Sequence, residues 1–439
     1  MQKSFLAKAL PFPAILVFSL WGGTGEVRAT QTLTNRMASV QTVFVIALEN
    51  HNFTQPTPTS SPEQLLGNPA APYFNSLITP GNSNATQVSY CTHYYNAGIG
   101  VHGSEPNYVW AEAGSDFGVH TDNDPSTGSG NIFNVPHLAA ELNAAGIPWR
   151  NFQEDVQYSS SPIISASGSG VAVNPYNGST DYLYAVKHNA MAFFSDTETQ
   201  NVYPLTNFLY QLTNNQVGRY NWITPDEYNE MHSSLSSFTY HGTTYTGDQA
   251  AVAEGDNFLS IFVPEIMASQ AYRSNGVIII WSDETEGGDT TSYTLPEVII
   301  SPLAKGNAYA STLEYSHSSD LRTMLEVFSL NFFSNSIPAS ETRAAGTGYN
   351  NISTVNDFAD LFANYVAPAS FKIDKSSGSS FNLSFILETN QSYRVLTATQ
   401  VNEPLTNWTQ AASGVAMTNP VVVPITNSQS ANYYRVVVP

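Results

Sequence analysis

Three short runs of β-branched and aliphatic residues set the first limit on this chain: 41–48, 277–281 and 298–300. A half-buried strand alternates apolar with polar residues, whereas a run that is apolar at nearly every position has to be covered on both faces. Helical patterns accompany these runs. Residues 136–146 carry apolar residues near a helical period and end at Gly146, while 256–264 and 320–328 each open on an aspartate suited to cap a helix, Asp256 and Asp320. Buried strands alternating with helices predict an α/β fold with a mostly parallel central sheet sandwiched by helices.

The rest of the chain divides by texture. Residues 1–29 read as a cleavable leader: Lys3 and Lys8 precede a short apolar stretch at 12–21, and Val27-Arg28-Ala29 offers small residues for a cut after Ala29. The stretch is too short for a spanning helix, which needs about 20 apolar residues, and no later segment reaches that length. A soluble protein, secreted or periplasmic, is therefore expected. A catalytic unit is expected over 30–367, with Ser/Gly/Thr/Tyr-rich segments at 159–179 and 233–245 read as surface insertions or lids. From Phe371 onward, short alternating runs separated by Asn/Ser/Gly turns predict a small all-β module over 368–439, sandwich-like, with carbohydrate or cell-surface binding or a passive role open to it.

Charge and cysteine content exclude further classes. The formal net charge of −20 repels nucleic acid and anionic lipid, so no nucleic-acid partner is expected. The single cysteine, Cys91, rules out an internal disulfide or a cysteine-based metal site, and reads as a small buried hydrophobe.

Ligands of open α/β sheets gather at the carboxyl ends of the strands, so the polar residues there carry the functional reading. The first strand runs into Glu49-Asn50 and the Ile-rich strand into Asp283-Glu284. The third leads through Ser301-Pro302 to Ser316-His317. Two other clusters are His102-Gly103-Ser104-Glu105-Pro106-Asn107-Tyr108 and the segment from Ile223 through Asp226 to His232. Carboxylates and imidazoles converging from separate strand ends suit a divalent cation, and an adjacent hydroxyl suits nucleophilic catalysis. Singly, each has a plainer reading: Glu49 as a turn cap, Asp283-Glu284 as a solvated turn, His317 as a helix cap, His232 as a surface histidine.

Taken in order, these segments resemble the phosphoesterase family that contains bacterial phospholipases C and acid phosphatases, itself similar in fold to the alkaline phosphatase superfamily. The resemblance rests on Val45-Ile46-Ala47-Leu48-Glu49-Asn50, on His102 to Tyr108, on Lys187-His188-Asn189 before Phe193-Phe194, on Ile223 to His232, on Asp283-Glu284, and on Ser301-Pro302 with Ser316-His317. Gly103 stands where the family usually has proline, and the C-terminal module lies outside the family core.

The resemblance implies Ser104 as nucleophile, activated by a divalent metal held by Glu49, Asp283 and Glu284. It implies Asp226, His232 and His317 as a second metal site or as groups that hold and protonate phosphate. Asn50, Asn107, Lys187, His188 and His102 are implied around the phosphate, His188 among the catalytic groups. Zinc, calcium, magnesium and manganese all remain open. A phosphate-ester small molecule or lipid head group is the implied substrate, with a phosphomonoesterase ahead of a phospholipase C-type diesterase. A non-catalytic secreted binding protein is the reading from another class.

Overall fold

The computed structural model describes residues 33–125, 130–156, 180–198, 200–333 and, in shorter stretches, parts of 335–437, with strand backbone also at 18–19 and 171–173. The expected leader and the 159–179 insertion lie outside the described residues apart from those two strand pieces. Two compact units are formed, one over Val40–Ala363 and one joining Asn364–Pro439 to Met1–Ser39.

The larger unit is built on an eight-stranded sheet. Its strands are β1 (Thr42–Leu48), β2 (Val88–Tyr95), β3 (Trp149–Gln153), β4 (Val202–Pro204), β5 (Tyr220–Thr224), β6 (Gly276–Ser282), β7 (Val298–Ile300) and β8 (Tyr309–Ser316). They lie in the order β8-β2-β7-β6-β1-β5-β3-β4. Every neighbouring pair is parallel except those made by β7, which runs antiparallel to both β6 and β2. The sequence reading grouped residues 298–300 with the parallel strands. Burial on both faces looks the same for either direction; the connection distinguishes them, and residues 283–297 hold no helix to carry a parallel crossover.

Helices cover both faces: α1 (Pro72–Leu77), α2 (Ser104–Ala113), α3 (Leu138–Ala144), α4 (Phe208–Thr213), α5 (Asp248–Ala268) and α6 (His317–Val327). Successive strand residues point to opposite faces. Phe44, Ile46 and Leu48 of β1 join Ile278 and Ile280 of β6 in one core cluster with Phe74, Phe208, Val252, Leu259 and Val263 from α1, α4 and α5. Residues of the other parity face α2: Trp222 and Trp281 pack edge-on against Tyr108, with ring centroids 5.9 and 5.2 Å away. All ten residues of α2 are buried, so this helix has no solvent face.

Both aspartates expected to open helices do other work. Asp256 sits inside the 21-residue α5, and its carboxylate accepts the backbone N–H groups of Tyr73 and Phe74 at 2.9 and 2.7 Å, capping α1 from a neighbouring helix. Asp320 lies in the first turn of α6, whose N-cap is Ser316. The 233–245 segment is not wholly irregular, since Phe238–Tyr240 and Thr243–Tyr245 form a hairpin. In the smaller unit, three-stranded and four-stranded antiparallel sheets contribute Leu383, Phe385, Val395, Val423, Ile425 and Tyr434 to one apolar cluster.

Asp256→Ala leaves two helix N–H groups unmet and removes a buried anchor between α1 and α5. Denaturant unfolding should show a loss of about 1–3 kcal/mol. A change below 0.5 kcal/mol, roughly the range of neutral surface substitutions, would show that the cap is dispensable.

Candidate active site

The parallel register of β1 and β6 pairs Leu48 with Ser282. Glu49 and Asp283 therefore leave adjacent strands at the same level, about 5 Å apart across the sheet. The Asn50 N–H donates to Asp283 Oδ1 at 3.1 Å, tying the two strand ends together. On the other side of β1, the loop after β5 is drawn in by the Glu49 N–H, which donates to the Glu230 carbonyl at 2.7 Å. That loop turns at Met231, whose φ of +79° is unusual for a non-glycine residue. Gly255 of α5 admits the Met231 side chain where a Cβ would collide with it.

Ser104 enters from above this edge. Gly103, with φ +91°, opens the turn that starts α2. Ser104, the first residue of that helix, donates its hydroxyl to Glu49 Oε2 at 2.9 Å. The helix N-terminus places partial positive charge at the same point.

Asn50 Oδ1, Asp283 Oδ2 and Glu230 Oε2 are buried without a hydrogen-bond donor, and Glu49 Oε1 and Glu230 Oε1 face only the imidazole of His188. Burial, then the charges of Asp283 and Glu230, push the Glu49 carboxyl well above its usual range. Burial and then Glu284 raise Asp283 to about 7. Burial, then Glu227 and Asp226, raise Glu230 well above its usual range. Unpaired buried carboxylates are costly, and a divalent cation removes that cost. The donor set of carboxylate and amide oxygens with a serine hydroxyl fits such an ion.

Two imidazoles and an ammonium group face these acids. His188, from the short helical turn Val186–His188, lies with Nε2 3.4 Å from Glu49 Oε1 and Nδ1 2.6 Å from Glu230 Oε1. Burial, then Lys187 and His232, hold its pKa well below the usual value, and the Tyr108 ring stacks on it. His232 pairs through Nδ1 with Glu227 Oε2 at 2.6 Å, and Lys187 Nζ lies 3.4 Å from His232 Nε2. Burial works against the Lys187 charge, but Glu49 and Asp122 keep its pKa above the usual value. Ligand atoms of Glu49, His188 and His232 lie within 4.8 Å of one another, as do those of His188, Glu227 and Glu230.

The structure thus brings together Glu49, Asn50, Ser104, Asp283, Lys187, His188 and His232. Five other expected site residues are engaged elsewhere. Glu284 Oε2 accepts the Gly103 N–H at 3.0 Å and pairs with His102 Nδ1 at 2.8 Å, so it braces the turn before Ser104. His102 spends its other nitrogen on Asp289. These bonds to Asp289 and Glu284 raise its pKa to about 10, the imidazolium form. Asn107 bonds the Val101 and Gly103 carbonyls and the Ala97 N–H, which fixes the same turn. Asp226 folds back on its own backbone, Oδ1 accepting the N–H groups of Tyr228 and Asn229. His317 has both ring nitrogens occupied, by Trp281 and Tyr94 on one side and the Asp283 carbonyl on the other. Sequence reasoning missed Glu227 and Glu230. The Pro225-Asp226 pair is a turn signature, and reading it as an Asx turn would have passed the acidic role to the next carboxylates along.

A serine at a helix N-terminus, facing carboxylates at the ends of parallel strands, has the makings of a hydrolase. Residues 68–331 match the model of the phosphoesterase family. The chain belongs to that family, and its chemistry is the hydrolysis of phosphoric esters. It is 24% identical over 324 residues to a phosphatidylinositol-3-phosphatase of Mycobacterium tuberculosis, covering 74% of this chain and 89% of that protein. It is 25% identical over 210 residues to a phosphate-repressible acid phosphatase of Penicillium chrysogenum, covering 47% of this chain and 42% of that relative. Among solved structures, an alkaline phosphatase superfamily protein from Vibrio parahaemolyticus aligns with TM-score 0.44 and 11% identity over 83% of this chain and 79% of its own.

The acidic cluster has a consequence for stability. A carboxyl whose folded pKa lies above its unfolded value stabilises the fold only while protonated. That contribution is lost as pH rises from about 4 through the raised folded value, which is about 7 for Asp283, with Glu49 and Glu230 also raised well above their usual range. Chelator-treated protein should melt at a lower temperature at pH 8 than at pH 5, with Asp283→Asn narrowing the difference. Equal narrowing by a surface Asp→Asn control would discount the cluster as the source.

Proposed function

We propose that this protein is a divalent-metal-dependent phosphomonoesterase acting through a phosphoserine at Ser104. The observation that carries the reading is the Ser104 hydroxyl on Glu49, at a strand edge where buried oxygens of Asn50 and Asp283 lack donors and Glu49 Oε1 faces only His188. Those three residues and Ser104 are the groups that would hold the ion. When bound, it supplies Lewis-acid stabilisation of charge on the serine and phosphoryl oxygens.

The chain's own residues account for the rest. Glu49 orients the Ser104 hydroxyl and receives its proton as Oγ bonds to phosphorus. The first turn of α2 and Lys187 face the charge that develops on the phosphoryl oxygens. As the P–O bond to the alcohol breaks, the departing oxygen takes a proton from the Lys187–His232 pair, whose histidine is held in place by Glu227. Water then attacks the phosphoserine, passing a proton to the Lys187–His232 pair, and as the P–O bond to Ser104 breaks its Oγ takes back the proton held by Glu49. Braced from below by Glu284, His102 and Asn107, the turn before Ser104 keeps the hydroxyl in line.

The Lys187 ammonium group, set beside the His188 and His232 imidazoles as further hydrogen-bonding partners, favours a dianionic monoester over a diester. The mycobacterial relative, named as a phosphatase of a phosphoinositide, is consistent with that preference and with a lipid head group as one substrate class. No helix among the described residues is long and apolar enough to cross a membrane. Export rests on the leader-like residues 1–29 alone.

The test is a panel of p-nitrophenyl phosphate, bis-p-nitrophenyl phosphate and p-nitrophenyl phosphorylcholine, with chelator and metal add-back. The expected result is metal-restored cleavage led by the monoester. Preference for the choline diester would move the enzyme to the phospholipase C kind. Ser104→Ala should lower kcat by about a thousandfold or more with an unchanged circular dichroism spectrum. Near wild-type turnover would remove the serine from its role.

A further inference from the structure

The chain that leaves α2 returns over the N-terminus of the same helix. Residues 119–124 form neither helix nor strand, and Glu105 pins them there. Its buried carboxylate accepts from Asn131 Nδ2 at 3.1 Å and from the Thr121 hydroxyl at 3.3 Å. The same Asn131 amide donates to the Asn123 carbonyl at 3.0 Å. Between Thr121 and Asn123 stands Asp122. Its Oδ1 accepts the Glu105 N–H at 3.3 Å, and its Oδ2 lies 3.6 Å from Lys187 Nζ. The Asp122 side chain is 43% exposed, so this carboxylate has water to turn into.

Donors are few at this point. The first four N–H groups of a helix have no partner inside it. For α2, with Gly103 as its N-cap, these positions are Gly103, Ser104, Glu105 and Pro106. The Gly103 N–H is spent on Glu284 Oε2, and proline has none. Those of Ser104 and Glu105 remain, and Asp122 holds the second. One carboxylate therefore spans both kinds of group that the proposed chemistry turns toward the phosphoryl oxygens, the first turn of α2 and the Lys187 ammonium. A capping role accounts for the oxygen on Glu105, but not for the second oxygen aimed at Lys187.

We propose that Asp122 is an internal stand-in for phosphate: its carboxylate holds a phosphoryl-oxygen position and turns out to solvent when a phosphate monoester, or the inorganic phosphate product, takes that position. The inference rests on the reading of the α2 first turn and Lys187 as phosphoryl-binding groups. A seated Asp122 lowers the apparent affinity for phosphate by the fraction of molecules in which the position is open. The same competition hastens release of the product. Asp122 thus sets how tightly the site holds phosphate without taking part in bond breaking.

Titration calorimetry of the full-length, Mn²⁺-loaded protein with inorganic phosphate tests it, alongside kcat and KM for p-nitrophenyl phosphate. Asp122→Asn keeps an acceptor for the Glu105 N–H but removes the charge, and Asp122→Ala removes both. Each should tighten phosphate binding and lower KM by about fivefold, the scale of one partly exposed ion pair, with kcat within about twofold of wild type. Phosphate affinity that stays within about twofold of wild type in both variants, or that weakens, overturns the stand-in. A lower melting temperature in Asp122→Ala with phosphate binding unchanged would leave a helix cap and nothing more. Lys187→Met separates the two levels of the argument, since it should weaken phosphate binding by about tenfold or more. If it does and the Asp122 variants change nothing, the stand-in alone falls. If Lys187→Met binds phosphate as wild type does, the phosphoryl-binding role of Lys187 falls and takes this inference with it.

Discussion

Like charge held at the edge of a sheet governs the rest of this molecule. Parallel pairing in register makes Glu49 and Asp283 leave neighbouring strands side by side, and the Glu49–Glu230 backbone bond adds a third carboxylate. Such a cluster is unfavourable as long as its members are charged and unpaired. Its surroundings answer with the Lys187 ammonium group, the His188 and His232 imidazoles and the N-terminus of α2, and leave Asn50 Oδ1, Asp283 Oδ2 and Glu230 Oε2 without a donor. Binding energy at this edge and instability without a partner are two faces of one arrangement.

The polar residues around the edge fall into two kinds. Some present free atoms to the Ser104 hydroxyl; others, such as His102, Glu284 and Asn107, spend their hydrogen bonds on the turn that delivers it. This division explains how a serine in an acidic protein is held in one orientation. Sequence motifs that look like one functional string mix both kinds, because a site needs a rigid frame as much as it needs reactive groups.

Much of this was legible from residues alone, for definite reasons. Strands buried on both faces announce themselves by composition, and Glu49 and Asp283 sit immediately after such strands, where register alone decides their neighbours. Ser104 was singled out through its segment, and its hydroxyl lies on Glu49. What escaped depended on local geometry that composition does not carry. Strand β7 reads like its parallel neighbours but runs the other way. Asp256 does cap a helix, though one distant in sequence. Asp226 turns inward on its own N–H groups, so the acidic role within that loop passes to Glu227 and Glu230. His317 was expected at the ligands' side, yet its ring lies behind Asp283, with both nitrogens satisfied.

The burial of α2 on every side has an effect on how the enzyme fails. A helix with one wet face can fray or exchange its amide hydrogens while the domain stays folded, whereas one enclosed all round opens only with the elements packed against it. Ser104 stands on the first turn of such a helix. Its environment cannot loosen in part. As the domain is heated or titrated, the setting of Ser104 should stay intact up to the cooperative transition and vanish with it, so that loss of turnover and loss of fold are a single event.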